Sequence, residues 1–230
     1  MTTPLPDPSR RIFMQGLAGA AALGSAAVPV GAARSADAPP YVPTFFTAAE
    51  WAFLHAACDR LIPEDAVGPG ALALGVPEFI DRQMDTPYAF GKLWYMQAPF
   101  VSGPANLGYQ LPYAPRDIYR KGIAGAEAFV QAKYGKSFAD LDAATRDDIL
   151  RGFETGDTRF GDLPARTFFA QLLNNTMEGA FSDPVHGGNK GLGGWTMINF
   201  PGARADFMDW VDQYGPRYPL GSVSISGETA

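Results

Sequence analysis

Residues 162–181 read DLPARTFFAQLLNNTMEGAF, and this stretch decides the fold. Asp162 and Pro164 are residues that favour the start of a helix. The side chains that we expect to face the core then recur at helical spacing: Phe168, Phe169, Leu172, Leu173, Thr176 and Met177. A stripe of that width is typical of a helix at the centre of a domain.

Two shorter helices are predicted nearer the N-terminus. Thr47 and Glu50 have the spacing of a capping box, in which each side chain satisfies a free backbone amide of the first turn. The apolar residues that follow form one stripe, which ends at Pro63: Trp51, Leu54, Cys58 and Leu61. Pro77 opens the second helix, which runs to about Met84.

Three more helices are predicted after residue 115. The first runs from Arg116 to about Tyr134, and the second follows Asp142 and turns Ile149, Leu150 and Phe153 inward. The third is expected from about Ala203 to Tyr214, with Phe207, Trp210 and Val211 inward. Because alternating strand patterns are absent, the predicted fold class is all-α: a single loop-rich helical domain at residues 39–230, with long proline/aromatic and glycine-rich connections.

The composition excludes several classes of protein. With 230 residues, 47% hydrophobic and 18% charged, the chain has enough apolar surface to fold, and its net charge of −6 argues against a nucleic-acid partner. One cysteine, Cys58, rules out an intrachain disulfide and leaves either a buried thiol or an intersubunit bridge. Gly191-Leu192-Gly193 lacks the third glycine of a dinucleotide fingerprint. We therefore expect no cofactor and no metal in this chain.

The N-terminal residues 1–38 are interpreted as a twin-arginine signal peptide and linker. Arg10, Arg11 and Phe13 lie in Ser9-Arg-Arg-Ile-Phe-Met14, ahead of an alanine- and glycine-rich stretch at 16–30 that is too short to cross a bilayer. Cleavage after Ala33 or after Ala38 fits the sequence. This route exports folded cargo, so we expect that a partner is bound before export.

Two connections carry the candidate functional residues. Residues 85–115 alternate prolines with aromatic residues, and a segment of this length is expected to bind a partner through Trp94, Tyr95, Phe100 and Tyr109. An alternative is a carbohydrate-binding module that stacks sugars on Trp94, Tyr95, Tyr109 and Trp195.

The second connection runs from Glu178 to Asn189. Glu178, Asp183 and His186 lie within nine residues, which leaves open a small enzyme or, together with Asn189, a metal site. The same stretch also suits a plain turn: Asp183-Pro184 starts it, Gly187-Gly188 permits positive φ, and Glu178 and Asn189 can bind loop amides. For a partner interface, the candidates here are Glu178, Asp183, His186, Asn189 and Trp195.

The run from Glu178 to Asn189, together with Gly193-Gly-Trp195, Phe200-Pro-Gly202, Asp59-Arg-Leu-Ile-Pro63 and the leader, resembles one known family. It is similar to the gluconate 2-dehydrogenase subunit 3 family, the small (gamma) subunits of membrane-bound flavin-dependent sugar and sugar-acid dehydrogenases. The likeness extends over roughly residues 45–214. The insertion at 94–100 favours the gluconate branch, whereas His186 departs from the tyrosine that is commoner there.

The resemblance implies a heterotrimer. Its other members would be an FAD-containing large dehydrogenase subunit and a multihaem cytochrome c subunit, and this chain would be the non-catalytic member that carries the export signal. FAD and haem c would then reside in the partners, on the periplasmic side of the bacterial inner membrane, with membrane contact only through the complex. The substrate is open, since gluconate, 2-ketogluconate or another sugar would bind to another chain.

Overall fold

The computed structural model describes residues 40–101, 103–205 and 207–230. The predicted signal peptide, with Arg10, Arg11 and Phe13, lies outside the described residues. Within them the chain forms helices α1 (Ala48–Leu61), α2 (Val76–Gln83), α3 (Pro115–Tyr134), α4 (Ala143–Thr155), α5 (Ala165–Phe181) and α6 (Gly193–Met197). Strands β1 (Arg159–Phe160) and β2 (Leu163–Pro164) pair antiparallel, with Phe160 opposite Leu163. The mostly helical fold is therefore confirmed.

Helix α5 is the central element, as its sequence predicts. It packs against α2, α3 and α4. Phe168 and Leu172 of α5 have no exposed surface, and Phe168 lies against Gly122 of α3. A Cβ atom at Gly122 would stand 2.1 Å from the Phe168 ring, so the absence of a side chain lets these two helices approach closely. Residues Tyr41–Ala230 form one compact unit around this helix.

The apolar stripe of α5 is wider than the face that the core covers. Phe168, Phe169, Leu172 and Thr176 are buried as predicted, whereas Leu173 is half-buried and Met177 is 44% exposed. A helix turns by about 100° per residue, so a stripe that includes positions 173 and 177 extends past the side that faces α2, α3 and α4. The prediction that Met177 points into the core is wrong.

Helix α1 confirms the predicted start, whereas only Leu54 and Cys58 of the predicted stripe are buried and Trp51 and Leu61 are half-buried at the edge of the core. The Thr47 amide donates to Glu50 at 2.8 Å and the Glu50 amide donates to the Thr47 hydroxyl at 3.4 Å, which completes the capping box. Cys58 is fully buried, 3.6 Å from the Thr176 hydroxyl. Burial raises the pKa of the Cys58 thiol to about 12, so the structure supports the inert buried thiol rather than a bridge to a partner.

The helix predicted from Ala203 to Tyr214 is absent from the described residues of that stretch, where a single 3₁₀ turn lies at Met208–Trp210. Phe207 and Val211 are exposed, and Phe207 and Trp210 pack on Tyr218 instead of the core. The physical reason is packing, because a short helix is stable mainly when the core covers its apolar face, and here Tyr218 takes up those side chains. The Ala203 amide also donates to Val223 at 2.7 Å, which ties the start of this stretch to the C-terminal tail.

The segment before α1 is fixed by one buried carboxylate, that of Asp81 in α2. It accepts hydrogen bonds from the Tyr41 hydroxyl at 2.7 Å and from backbone amides, at 2.7 Å from Thr44, 3.1 Å from Phe45 and 3.0 Å from Phe46. Burial by itself would raise the pKa of Asp81, but these donors outweigh it and hold the pKa below its ordinary value.

We predict that Asp81→Asn lowers the free energy of unfolding by about 2 kcal/mol, because an amide nitrogen then faces buried donors. Because the folded pKa of Asp81 lies below the unfolded value of about 3.9, its stabilisation is present above that pH and is lost as the pH falls through the folded pKa. The difference between wild type and variant should therefore shrink in acid. Urea unfolding between pH 3 and pH 7 measures it.

The matched control is Asp148→Asn, at a carboxylate that is exposed and pairs with Arg151 on the surface of α4. This variant should stay within about 0.5 kcal/mol of wild type. An Asp81→Asn protein that is as stable as the control at pH 7 would contradict the role given to this carboxylate.

Candidate functional site

The proline/aromatic segment 85–115 folds back on itself and on the helices. The Arg116 amide donates to Ala89 at 3.2 Å, which joins the two ends of the segment. Inside the loop, Gln110 accepts from the Gly103 amide at 2.6 Å and donates to the Pro104 carbonyl at 3.0 Å. The segment is therefore an ordered loop whose own polar groups hold its shape.

Aromatic stacking fixes Trp94 within this loop. The Trp94 ring is half-buried, with ring centroids 4.9 Å from Tyr109 and 6.1 Å from Tyr88. The Tyr109 hydroxyl donates to the Tyr113 carbonyl at 2.6 Å, and burial raises the pKa of Tyr109 to about 12. The rings of Trp94 and Tyr109 thus pack against each other at a tilt.

The same loop presents apolar side chains to solvent. Tyr95 is 86% exposed, and Phe100 is also exposed. Around them lie further exposed apolar residues that the sequence did not single out: Phe90, Leu93, Val101 and Leu107. A concentration of exposed apolar side chains on one ordered loop is typical of a protein-binding surface.

An open groove separates this loop from α5. We call it groove A, and its volume is about 650 Å³. Trp94 and Tyr109 form one wall, and Phe169 and Leu173 of α5 form the floor. Glu154 and Arg166 also line groove A, so it is mainly apolar with one charge of each sign.

The glycine-rich loop after α5 is held by Asp183. Its carboxylate caps the 3₁₀ turn Pro184–His186 by accepting from the Val185 amide at 3.1 Å, and its second oxygen accepts from the Ile225 amide at 2.7 Å. Asp183 is buried, and both oxygens are engaged. It therefore ties the C-terminal tail to this loop and is not aimed at a ligand.

Asn189 and Trp195 are also buried and hold the loop from inside. The Asn189 side chain donates to the Ser182 carbonyl at 2.9 Å and accepts from the Gly194 amide at 2.8 Å. The Trp195 indole donates to the Phe181 carbonyl at 2.7 Å. Asn189 and Trp195 therefore fix the shape of the loop, but their buried side chains would not themselves contact a partner.

A charge cluster that the sequence analysis missed ties the same loop to α2. Glu78 is buried, accepts from Arg82 at 2.5 Å and forms an ion pair with Lys190. Glu78 and Lys190 lie 112 positions apart, so no local pattern connects them. The predicted turn at Asp183-Pro184 is present, and Asn189 binds a loop amide as predicted. The prediction for Glu178 is wrong, because its carboxylate accepts from the Asn175 side chain.

Glu178 and His186 are both exposed and line a second groove, which we call groove B. Its volume is about 380 Å³, and its other walls are Phe79 and Gln83 of α2 with Phe181 and Ser182. Asp183 does not line this groove. The three residues considered for catalysis are therefore not brought together at one site.

A buried polar network, also missed from the sequence, connects groove B with the proline/aromatic segment. The Asn175 side chain donates to Glu178 at 2.7 Å and to the Tyr88 hydroxyl at 3.1 Å. Its oxygen accepts from the Tyr119 hydroxyl at 3.0 Å and from Gln171 at 2.7 Å. An asparagine in the middle of an apolar helix is the one sequence signal that points to this network.

Within the residues that the structure describes, no three residues of the types His, Cys, Asp and Glu come together in a group that could hold a metal ion. In the same residues, no helix has the length and apolar character needed to cross a membrane.

Comparison with known proteins identifies the family. The family model for gluconate 2-dehydrogenase subunit 3 matches residues 48–202, more than half of the 230-residue chain. Searches of curated proteins and of solved structures give no match. The matched range includes the proline/aromatic segment, α5 and the glycine-rich loop. The chain therefore belongs to the gluconate 2-dehydrogenase subunit 3 family.

Proposed function

We propose that this chain is a non-catalytic small subunit of a flavin-dependent gluconate 2-dehydrogenase complex. It binds and stabilises the FAD-containing large subunit and carries it through twin-arginine export to the periplasmic side of the inner membrane, where a multihaem cytochrome c subunit completes the complex. The observation that carries this proposal is the family match over residues 48–202, since a subunit 3 implies other subunits of a dehydrogenase.

The exposed apolar residues of the proline/aromatic loop support a protein partner. Tyr95 and Phe100 project from a loop that is held by its own hydrogen bonds and ring contacts, so the backbone that carries them is set before binding. Preorganised aromatic anchors bind with a smaller loss of conformational entropy than flexible ones. The loop therefore suits a stable interface, as export of a bound flavoprotein requires.

The geometry favours neither alternative function. An enzyme that used Glu178, Asp183 and His186 would need them at one site, but Asp183 is buried in the loop and occupied by two backbone amides. A carbohydrate-binding module was predicted to use Trp94, Tyr95, Tyr109 and Trp195 together, whereas Trp195 is buried and the rings of Trp94 and Tyr109 pack against each other.

The export role predicts the outcome of changing the leader. Replacing Arg10 and Arg11 together with Lys should leave both this chain and the dehydrogenase activity in the cytoplasm, because the export receptor reads the arginine pair. Cell fractionation with an activity assay on each fraction measures this. Arg34→Lys, outside the motif, is the control. Continued export of the flavoprotein in the double variant would refute the carrier role.

The binding role predicts that Tyr95→Ala raises the dissociation constant for the large subunit about tenfold or more, because a preorganised aromatic anchor is lost. Tyr214→Ala is the matched control, since Tyr214 is 96% exposed and lies in the C-terminal region, outside residues 85–115. Titration of the purified large subunit with each variant gives the constants. Equal affinity for the Tyr95 variant and wild type would remove this loop from the interface.

The non-catalytic role predicts how Glu178→Gln and His186→Ala behave. Each should leave kcat per bound flavin unchanged in the assembled complex, because neither side chain takes part in the chemistry. Any loss should appear as a smaller yield of complex on size-exclusion chromatography. Loss of kcat at full flavin content would instead support the enzymatic alternative.

A further inference from the structure

The outward face of α5 is apolar although the core does not cover it. At 100° per residue, one side of the helix carries the following residues, which we call the outward stripe: Arg166, Ala170, Leu173, Asn174, Met177 and Phe181. The opposite side carries the buried residues Phe168, Leu172 and Asn175. Within the outward stripe, Met177 and Phe181 are exposed and Leu173 is half-buried.

A helix with apolar residues on both sides is typical of an element that is buried on both sides. The described part of this chain covers one side of α5 and leaves the outward stripe open. A helix face that stays in solvent is usually polar, yet the stripe positions 170, 173, 177 and 181 are apolar and only 166 and 174 are polar. The sequence of α5 therefore fits a second contact that another molecule supplies.

Grooves A and B flank this face at its two ends. Asn174 lines groove A and Glu178, one helical turn further on, lines groove B. From Arg166 to Phe181 the outward stripe extends for about 22 Å along α5, at 1.5 Å per residue. Trp94 and Tyr109 wall groove A, whereas α2 and the glycine-rich loop wall groove B.

The spacing of the outward stripe favours a helical occupant. Apolar side chains at 170, 173, 177 and 181 have the spacing that packs against the ridges of another helix. A peptide that binds by strand addition would need a free strand edge, which a helix does not offer. The length of the stripe corresponds to a helix of about 15 residues. At its C-terminal end the exposed Glu178 side chain lines groove B, so a basic residue of the occupant would complement it.

We propose that the outward stripe of α5 seats an amphipathic helix of the large dehydrogenase subunit, with its apolar face on Leu173, Met177 and Phe181 and a basic residue near Glu178. This proposal rests on the proposed function, because it names the surface through which the small subunit holds its partner. It adds a binding face that the loop residues Tyr95 and Phe100 do not provide.

Met177→Glu tests the surface. The variant should raise the dissociation constant for the large subunit about tenfold or more, because a charge then enters the apolar contact. Its thermal midpoint should match that of wild type, since the side chain is solvent-exposed and glutamate is a good helix former. Met177→Leu should keep the wild-type affinity.

The matched control is Met208→Glu, which introduces the same charge at a methionine that is 83% exposed in the C-terminal region. It should bind like wild type. If the variants at 177 and 208 bind with equal affinity, the proposed surface is wrong. If wild type itself does not bind the large subunit, the proposed function fails and this proposal with it. If wild type binds and Met177→Glu binds equally well, this proposal alone fails.

A photocrosslinking amino acid identifies the occupant. Benzoylphenylalanine at position 170 or 177 of the full chain, in complex with the large subunit, should form adducts with one segment of that subunit, at positions three or four residues apart. Adducts with scattered loops, with the cytochrome or with a second copy of this chain would overturn the proposal.

Discussion

The buried side-chain amide of Asn175 is the interaction on which the functional surface depends. It binds Tyr119 on α3, Gln171 and Glu178 on α5, and Tyr88 at the start of the proline/aromatic loop. A buried amide without partners is costly, so each of these contacts is strongly favoured once the core closes around it. The network thereby fixes where the loop lies on α5, and with it the width of groove A and the position of Glu178 in groove B.

Local patterns in the sequence were sufficient to predict most of the fold. The capping box at Thr47, the inward residues of α4 and the central position of α5 follow from spacing and capping, which act over a few residues. The prediction of a helix at 203–214 is wrong because Phe207 and Trp210, its expected inward residues, pack on the distant Tyr218 instead of the core. Met177 was wrong for another reason, since periodicity gives the width of a stripe but not how much of it the core covers.

The candidate site was predicted as two connections, and the structure separates the roles within them. Tyr95, Phe100, Glu178 and His186 are at the surface, whereas Asp183, Asn189 and Trp195 hold the loop from inside. Local sequence cannot make that distinction, because a turn residue and a contact residue are often the same amino acid. The ion pair of Glu78 with Lys190 joins residues that only the folded chain brings together. Sequence reasoning therefore misses the buried residues that hold the candidate site in shape.

The complete burial of Cys58 has a practical consequence for work on this subunit. It is the single cysteine of the chain, and its thiol is both inaccessible and held in the neutral form. The folded native protein should therefore not react with maleimide reagents. A cysteine introduced on the loop or on α5 would be the one site that takes up a fluorophore or spin label in the folded state, and labelling of Cys58 itself would report that the fold had opened.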